Sequence, residues 1–117
     1  MSDLPTTISM AIVAGPDQNG IVDALEAEGV TVEHLKGIVT RPVLEEAGIV
    51  DADLYVLTDA GQATTISIAH DLTDDLRTVT YTRETIPEFA KGQLDFVIDP
   101  AIVDVTMFAE ELSSPQE

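Results

Sequence analysis

Five short apolar stretches, separated by longer amphipathic ones, constrain what this 117-residue chain can fold into. The first, ISMAIVA at residues 8–14, is almost continuously apolar, which is typical of a strand covered on both faces. Further strands are predicted at 31–36, 53–57, 78–82 and 95–98. Buried strands that alternate with helices predict a Rossmann-like, doubly wound α/β sheet of five parallel strands with helices on both faces.

Helix signals fill the intervals between these strands. A first helix is predicted after Asp17 or Asn19 and ends at Gly29, and a second runs from Thr40 to Gly48. Further helices are predicted at 63–72, 86–91 and 101–112. The length suits one domain over 1–117, with its core at about 8–112 and polar tails at 1–6 and 113–117.

The parallel arrangement indicates where a ligand site would lie. In such sheets ligands bind outside the carboxyl ends of the strands, near the point where the strand order reverses. No catalytic residue and no metal ligand is assigned, because the chain has no cysteine and its two histidines, His34 and His70, fit no zinc spacing. The candidate cofactor-binding residues at this edge are Gly15, Asp17, Gly20, Lys36, Thr58, Asp59 and Arg83.

Charge excludes several classes of partner. The chain has 22 acidic residues against five basic ones, a formal net charge of -17. Nucleic acids and anionic lipid surfaces are therefore not expected partners, since both are negatively charged. The composition resembles that of haloarchaeal proteins, which work in a very salty cytoplasm. The sequence shows no leader and no apolar stretch of about 20 residues, so we expect a soluble cytoplasmic protein without membrane insertion.

The loop AGPDQNG, at residues 14–20, is similar to a dinucleotide-binding loop with one residue changed. Gly15 and Gly20 hold the outer positions of GxGxxG, and Asp17 replaces the middle glycine. Two interpretations stay open. The loop binds an anion at the helix amino terminus, or it is a tight turn in which Asp17 caps the helix and competes with a phosphate.

Three of the five basic residues fall at or just beyond predicted strand ends. Lys36, Arg41 and Arg83 could clamp an anionic ligand, or each could form an ion pair with one of the many carboxylates. His34 and His70 are interpreted as packing or surface residues, because no nucleophile in a recognisable motif accompanies them.

The passage VLEEAGIVDADLYVLTDAGQATTISIAHDL, together with the later DFVIDP, resembles the NAD-binding domain of the regulators of potassium conductance, also called the Trk potassium-uptake domain. The resemblance implies NAD or another nucleotide as cofactor. This chain lacks the family's middle glycine, has Lys36 where the family has an acidic residue, and has Thr64 in place of an asparagine. One helix and one strand of the family are also missing, which implies the strand order 2-1-3-4-5 of flavodoxin-like proteins. A phospho-acceptor domain would need a lysine after the fifth strand, and none follows Ile98.

Three functional hypotheses follow. The first is a non-catalytic regulatory or ligand-sensing domain that acts as a homodimer or on a partner protein. The second is a minimal NAD- or nucleotide-dependent enzyme that uses Gly15, Thr58, Asp59 and Arg83. The third is a protein-interaction module with a vestigial pocket.

The last helix is the expected dimer contact. Met107, Phe108 and Leu112 are large apolar residues near the end of the chain, and this part of the fold takes part in dimers in the resembled family. The alternative is that the helix simply packs within its own domain. In either case Phe108 and Leu112 share the stripe at helical spacing, whereas Met107 falls on its flank.

Overall fold

The computed structural model describes residues 8–113, and all statements below concern that part of the chain. Five strands and five α-helices alternate along it, with two short 3-10 turns at Ile49–Asp51 and Ala60–Gln62. The strands are β1 Met10–Ala14, β2 Thr31–Leu35, β3 Leu54–Leu57, β4 Arg77–Tyr81 and β5 Phe96–Ile98. The helices are α1 Ile21–Ala27, α2 Arg41–Ala47, α3 Thr64–Leu72, α4 Glu88–Lys91 and α5 Val105–Ser113.

The strands form one parallel sheet in the order β2-β1-β3-β4-β5. The predicted fold class and strand order are therefore confirmed. The order reverses between β1 and β3, where Ala14 lies opposite Leu57 at the carboxyl ends of the two strands. The loops that follow these strands thus frame the crevice in which flavodoxin-like folds place their sites.

Alternating side chains of the central strands enter two separate cores. Ile12 and Tyr55 face α2, α3 and α4, whereas Val13 and Val56 face α1 and α5. This explains the almost continuous apolar run in β1, since neither face of the central sheet contacts water.

The last helix begins later than the sequence predicts. Asp99 stabilises a turn before this helix. Its carboxylate accepts from the Ala101 amide at 2.8 Å, and its carbonyl oxygen accepts from the Ile102 and Val103 amides. The Asp104 carboxylate then accepts from the Met107 amide at 2.9 Å, so α5 starts at Val105 and not near residue 101.

The predicted tail at 113–117 is wrong at its first residue. Ser113 is the last residue of α5 and is buried, and its hydroxyl donates to the Ala109 carbonyl at 2.6 Å. A serine hydroxyl that bonds back to its own helix can be buried as part of that helix. Residues 1–6 and 114–117 lie outside the described residues.

Candidate functional site

The seven predicted site residues all lie in loops at the carboxyl edge of the sheet or at its strand ends. They do not surround one cavity. One open hollow of about 400 Å³, here the Arg83 hollow, is lined by Thr58, Asp59, Tyr81, Arg83 and Pro100, among others. A wider one of about 850 Å³, here the Lys36 hollow, is lined by Gly15, Asp17, His34, Lys36, Asp59 and Gln62, among others. Asp59 borders both hollows, and Gly20 is not part of either lining.

Asp17 occupies the amino terminus of α1. Its Oδ1 accepts from the Ile21 amide at 2.6 Å, and its Oδ2 accepts from the Val22 amide at 3.2 Å. Gly20 holds the formal cap position with a φ of 76° and contributes no side chain. The capping interpretation of Asp17 is confirmed, and the amides that a phosphate would use are bound by the chain's own carboxylate.

Gly15 is required by its contact with the end of β3. Its φ is 109°, and a Cβ built there would lie 2.4 Å from Thr58 Oγ1. The Thr58 hydroxyl donates to the Pro16 carbonyl at 2.7 Å, and it also lies 3.2 Å from the Ala14 carbonyl. Gly15 and Thr58 therefore join the β1–α1 loop to β3, which is a structural use of both residues.

Asp59 and Glu84 hold the Ala60–Gln62 turn. Asp59 Oδ1 accepts from the Gly61 amide at 2.9 Å, and its Oδ2 accepts from the Gln62 side-chain amide at 3.3 Å. Glu84 Oε1 reaches over from the loop after β4 to accept from the Ala60 amide at 2.9 Å. Both carboxylates thus stabilise backbone at the hollows that they border.

The structure separates the three predicted basic residues. Arg41 pairs with Asp71 at the end of α3, so the alternative of a three-residue clamp is wrong, and the ion-pair alternative is confirmed for Arg41. Lys36 and Arg83 are exposed, lie in different hollows, and form no ion pair with the residues at 8–113. Each hollow therefore contains one available cation beside at least one carboxylate.

Two further residues at this edge were not selected from the sequence. His34 Nε2 lies 2.7 Å from the Gly15 carbonyl oxygen, and it must donate because a carbonyl only accepts. The sequence feature that indicates this contact is the position of His34 in β2, where it lies opposite Val13 and therefore close to Gly15. Tyr81 lines the Arg83 hollow, and its hydroxyl donates to the Val103 carbonyl at 2.7 Å. Burial raises the pKa of Tyr81, and the carboxylates of Asp104 and Asp99 raise it further.

The expected dimer contact on the last helix is only partly exposed. Phe108 and Leu112 are buried in the core on the α1 and α5 side, and Phe108 packs against Tyr81 with ring centroids 4.4 Å apart. Met107 is 52% exposed. The grouping of all three as one contact surface is therefore wrong for Phe108 and Leu112, because the stripe at helical spacing faces the sheet.

Within residues 8–113, no group of three or more histidine, aspartate or glutamate side chains is arranged to hold a metal ion. In the same part of the chain no helix has the length and apolar character needed to cross a membrane.

Solved structures with the same fold include proteins of two kinds. The orphan response regulator HP1043 of H. pylori is 13% identical with a TM-score of 0.66, over 91% of this chain and 95% of that chain. An atypical orphan response regulator, described as having a phosphorylation-independent regulatory mechanism, is 15% identical with a TM-score of 0.63, over 88% and 92%. A pilus assembly-related protein of Burkholderia pseudomallei is 14% identical with a TM-score of 0.67, over 95% and 92%. These likenesses concern the fold.

A search of the curated proteins finds no match to this sequence. One family model matches residues 11–112, which is almost the whole described region. The chain therefore belongs to the family of unknown function DUF7126.

Proposed function

We propose that this protein is a non-catalytic regulatory domain that acts through contacts with other protein chains. The observation that carries the proposal is the position of Asp17, whose carboxylate binds the first two amides of α1. Thr58 and Asp59 are likewise engaged with neighbouring backbone. These polar groups at the carboxyl edge thus stabilise the loops and are not available to a ligand. The proposed function therefore depends on contacts made by the outer surface.

The structural neighbours support a regulatory function of this kind. Two of them are orphan response regulators, and one is described as phosphorylation-independent. In this chain β5 is followed by Asp99 and Pro100 with no lysine, and the Asp59 carboxylate caps a turn. We propose that it too works without phosphorylation, in a salt-rich cytoplasm that suits its net charge of -17.

Ligand sensing is the second candidate, and the cations at the edge favour it. Lys36 and Arg83 are exposed in a strongly acidic chain, and neither forms an ion pair within the described residues. NAD or another nucleotide could bind one of them through phosphate. A relationship to the regulators of potassium conductance belongs to this second proposal and is supported by the sequence passages that resemble that family.

A thermal-shift panel of NAD and of adenine and cytosine nucleotides in molar KCl separates the two candidates. A ligand that binds the native state raises the Tm with its concentration. We expect no shift with any of these compounds. A saturable rise in Tm that Arg83→Gln or Lys36→Gln abolishes would overturn the first proposal and establish the second. Lys91→Gln is the control, because Lys91 pairs with Glu88 on α4, away from both hollows.

A further inference from the structure

We propose that β5 and α5 together form a surface through which two copies of this chain associate about a two-fold axis. The surface, here the β5–α5 face, consists of Arg77, Phe96, Ile98, Met107 and Glu111, which line an open hollow of about 330 Å³ whose floor includes the buried Phe108 and Leu112. The inference rests on the proposed regulatory function, because it names one protein chain that such a domain would contact. It differs from a contact through α5 alone, since the edge strand contributes Phe96 and Ile98 to the surface.

Two large apolar side chains of this face are exposed beside one hollow. Phe96 is 47% exposed and Met107 is 52% exposed, and both border the same hollow. Isolated apolar side chains on a surface need no explanation, but a cluster beside a hollow is typical of an interaction site. Other exposed large apolar side chains, such as Ile38 and Ile102, do not line this hollow.

The sheet is also open at this side. β5 is the last strand in the order, it pairs with β4 alone, and it is only three residues long. Val97, on its other face, is 52% exposed. Proteins usually protect an open edge by keeping the strand short or by placing charged residues or proline on it; β5 is short, but all three of its residues, FVI, are apolar. An apolar open edge next to an apolar helix flank therefore favours a protein partner over a small ligand.

Charge identifies a second copy as the partner. Arg77 and Glu111 border the same hollow, yet neither is in an ion pair within residues 8–113. A two-fold axis through the hollow brings Arg77 of each copy to Glu111 of the other. Each copy thus supplies apolar side chains to the contact and an acidic partner for Arg77 of the other, and a self-complementary patch closes the assembly as a dimer.

Light scattering of the full chain in molar KCl tests the association. We expect twice the chain mass of 12.5 kDa. Met107→Glu should raise the dimer Kd about 10- to 100-fold, because it places an unpaired charge in the contact. Ile38→Glu is the matched control. It adds the same charge at a side chain that is 83% exposed but lies at the Lys36 hollow, so it should leave the dimer Kd unchanged. Circular dichroism confirms that each variant is folded.

A charge swap tests the partner and the geometry. Arg77→Glu should weaken the dimer, and the double variant Arg77→Glu with Glu111→Arg should restore it, because the exchanged charges face each other again. A monomer at every concentration, a dimer that Met107→Glu leaves intact, or a swap without recovery would each overturn the inference. The dimer and the proposed function are tested separately. Failure of the dimer in light scattering does not change the outcome of the nucleotide thermal-shift panel, which tests the proposed function.

Discussion

At the scale of single residues, Asp17 decides what the glycine loop does. Its carboxylate makes hydrogen bonds to two amides at the start of α1. Asp17→Ala should lower the free energy of unfolding by about 1 kcal/mol, as the loss of a good cap usually does. It should also strengthen phosphate binding, measured by titration calorimetry in molar KCl. Asp23→Ala is the control, because Asp23 is exposed in the first turn of the same helix. Equal effects of the two changes would contradict the capping account.

Thr80 and Thr78 give a second residue-scale prediction. Both are fully buried in β4, two residues apart. Among the described residues the Thr80 hydroxyl has no hydrogen-bond partner, whereas the Thr78 hydroxyl donates to the Gln93 carbonyl at 2.9 Å beside His70. Thr80→Val should therefore raise the free energy of unfolding by about 1 kcal/mol, and Thr78→Val should lower it by at least as much. Denaturant titrations measure the free energy of unfolding of both variants. A loss of stability in Thr80→Val would contradict the prediction that the unpartnered hydroxyl is destabilising.

Tyr55 makes stability depend on alkaline pH. Burial raises its pKa to about 12, although the hydrogen bond to Thr65 opposes this shift. The folded chain therefore keeps the phenol proton after the unfolded chain has lost it. Above pH 10 the free energy of unfolding should fall, by an amount on the order of 2–3 kcal/mol by pH 12. Tyr55→Phe should show a smaller decline over this range in denaturant titrations. An equally steep decline would assign the effect to other groups.

At the scale of elements, the contact between Gly15 and Thr58 joins the β1–α1 loop to β3. Gly15→Ala places a Cβ 2.4 Å from Thr58 Oγ1 at a φ of 109°. Gly29→Ala is matched, since its φ is 89° and a Cβ there meets nothing within 4 Å. We expect Gly29→Ala to cost about 1 kcal/mol and Gly15→Ala about 2 kcal/mol more, because Thr58 and the backbone of Asp59 must shift. Chemical denaturation measures the free energy of unfolding of both variants. Equal losses of stability would show that the β1–α1 loop accommodates the added Cβ without strain.

At the scale of the whole molecule, net charge sets the conditions for folding. A charge of -17 on 117 residues is self-repelling, and it is screened only when the Debye length falls to about 3 Å near 1 M salt. The Tm should therefore rise steeply between dilute buffer and molar KCl. Glu45→Gln with Glu46→Gln, on the exposed side of α2, should reduce that dependence. Circular dichroism melts provide the test, and an equally stable fold in dilute buffer would show that salt is not needed.

The sequence by itself determined the layered fold, because its signals are local. The almost continuously apolar β1 is typical of a covered strand, and the regular alternation of strands and helices implies parallel pairing. The seven edge residues could be located for the same reason, since the carboxyl ends of parallel strands meet at one edge. Asp17 as a helix cap was also accessible, because its partners follow it within five residues.

Only the tertiary structure decided how those residues are used. The edge is divided into two hollows by loops that are distant in the sequence. The hydrogen bond from Thr58 to Pro16, for example, joins segments more than 40 residues apart. The pairing of Arg41 with Asp71 depends on how α2 lies beside α3. Such contacts follow from sheet register and helix packing, in which every element restricts the others, and no local pattern encodes them. The exposure of Phe96 and Met107 on one face likewise arises only when β5 and α5 come together.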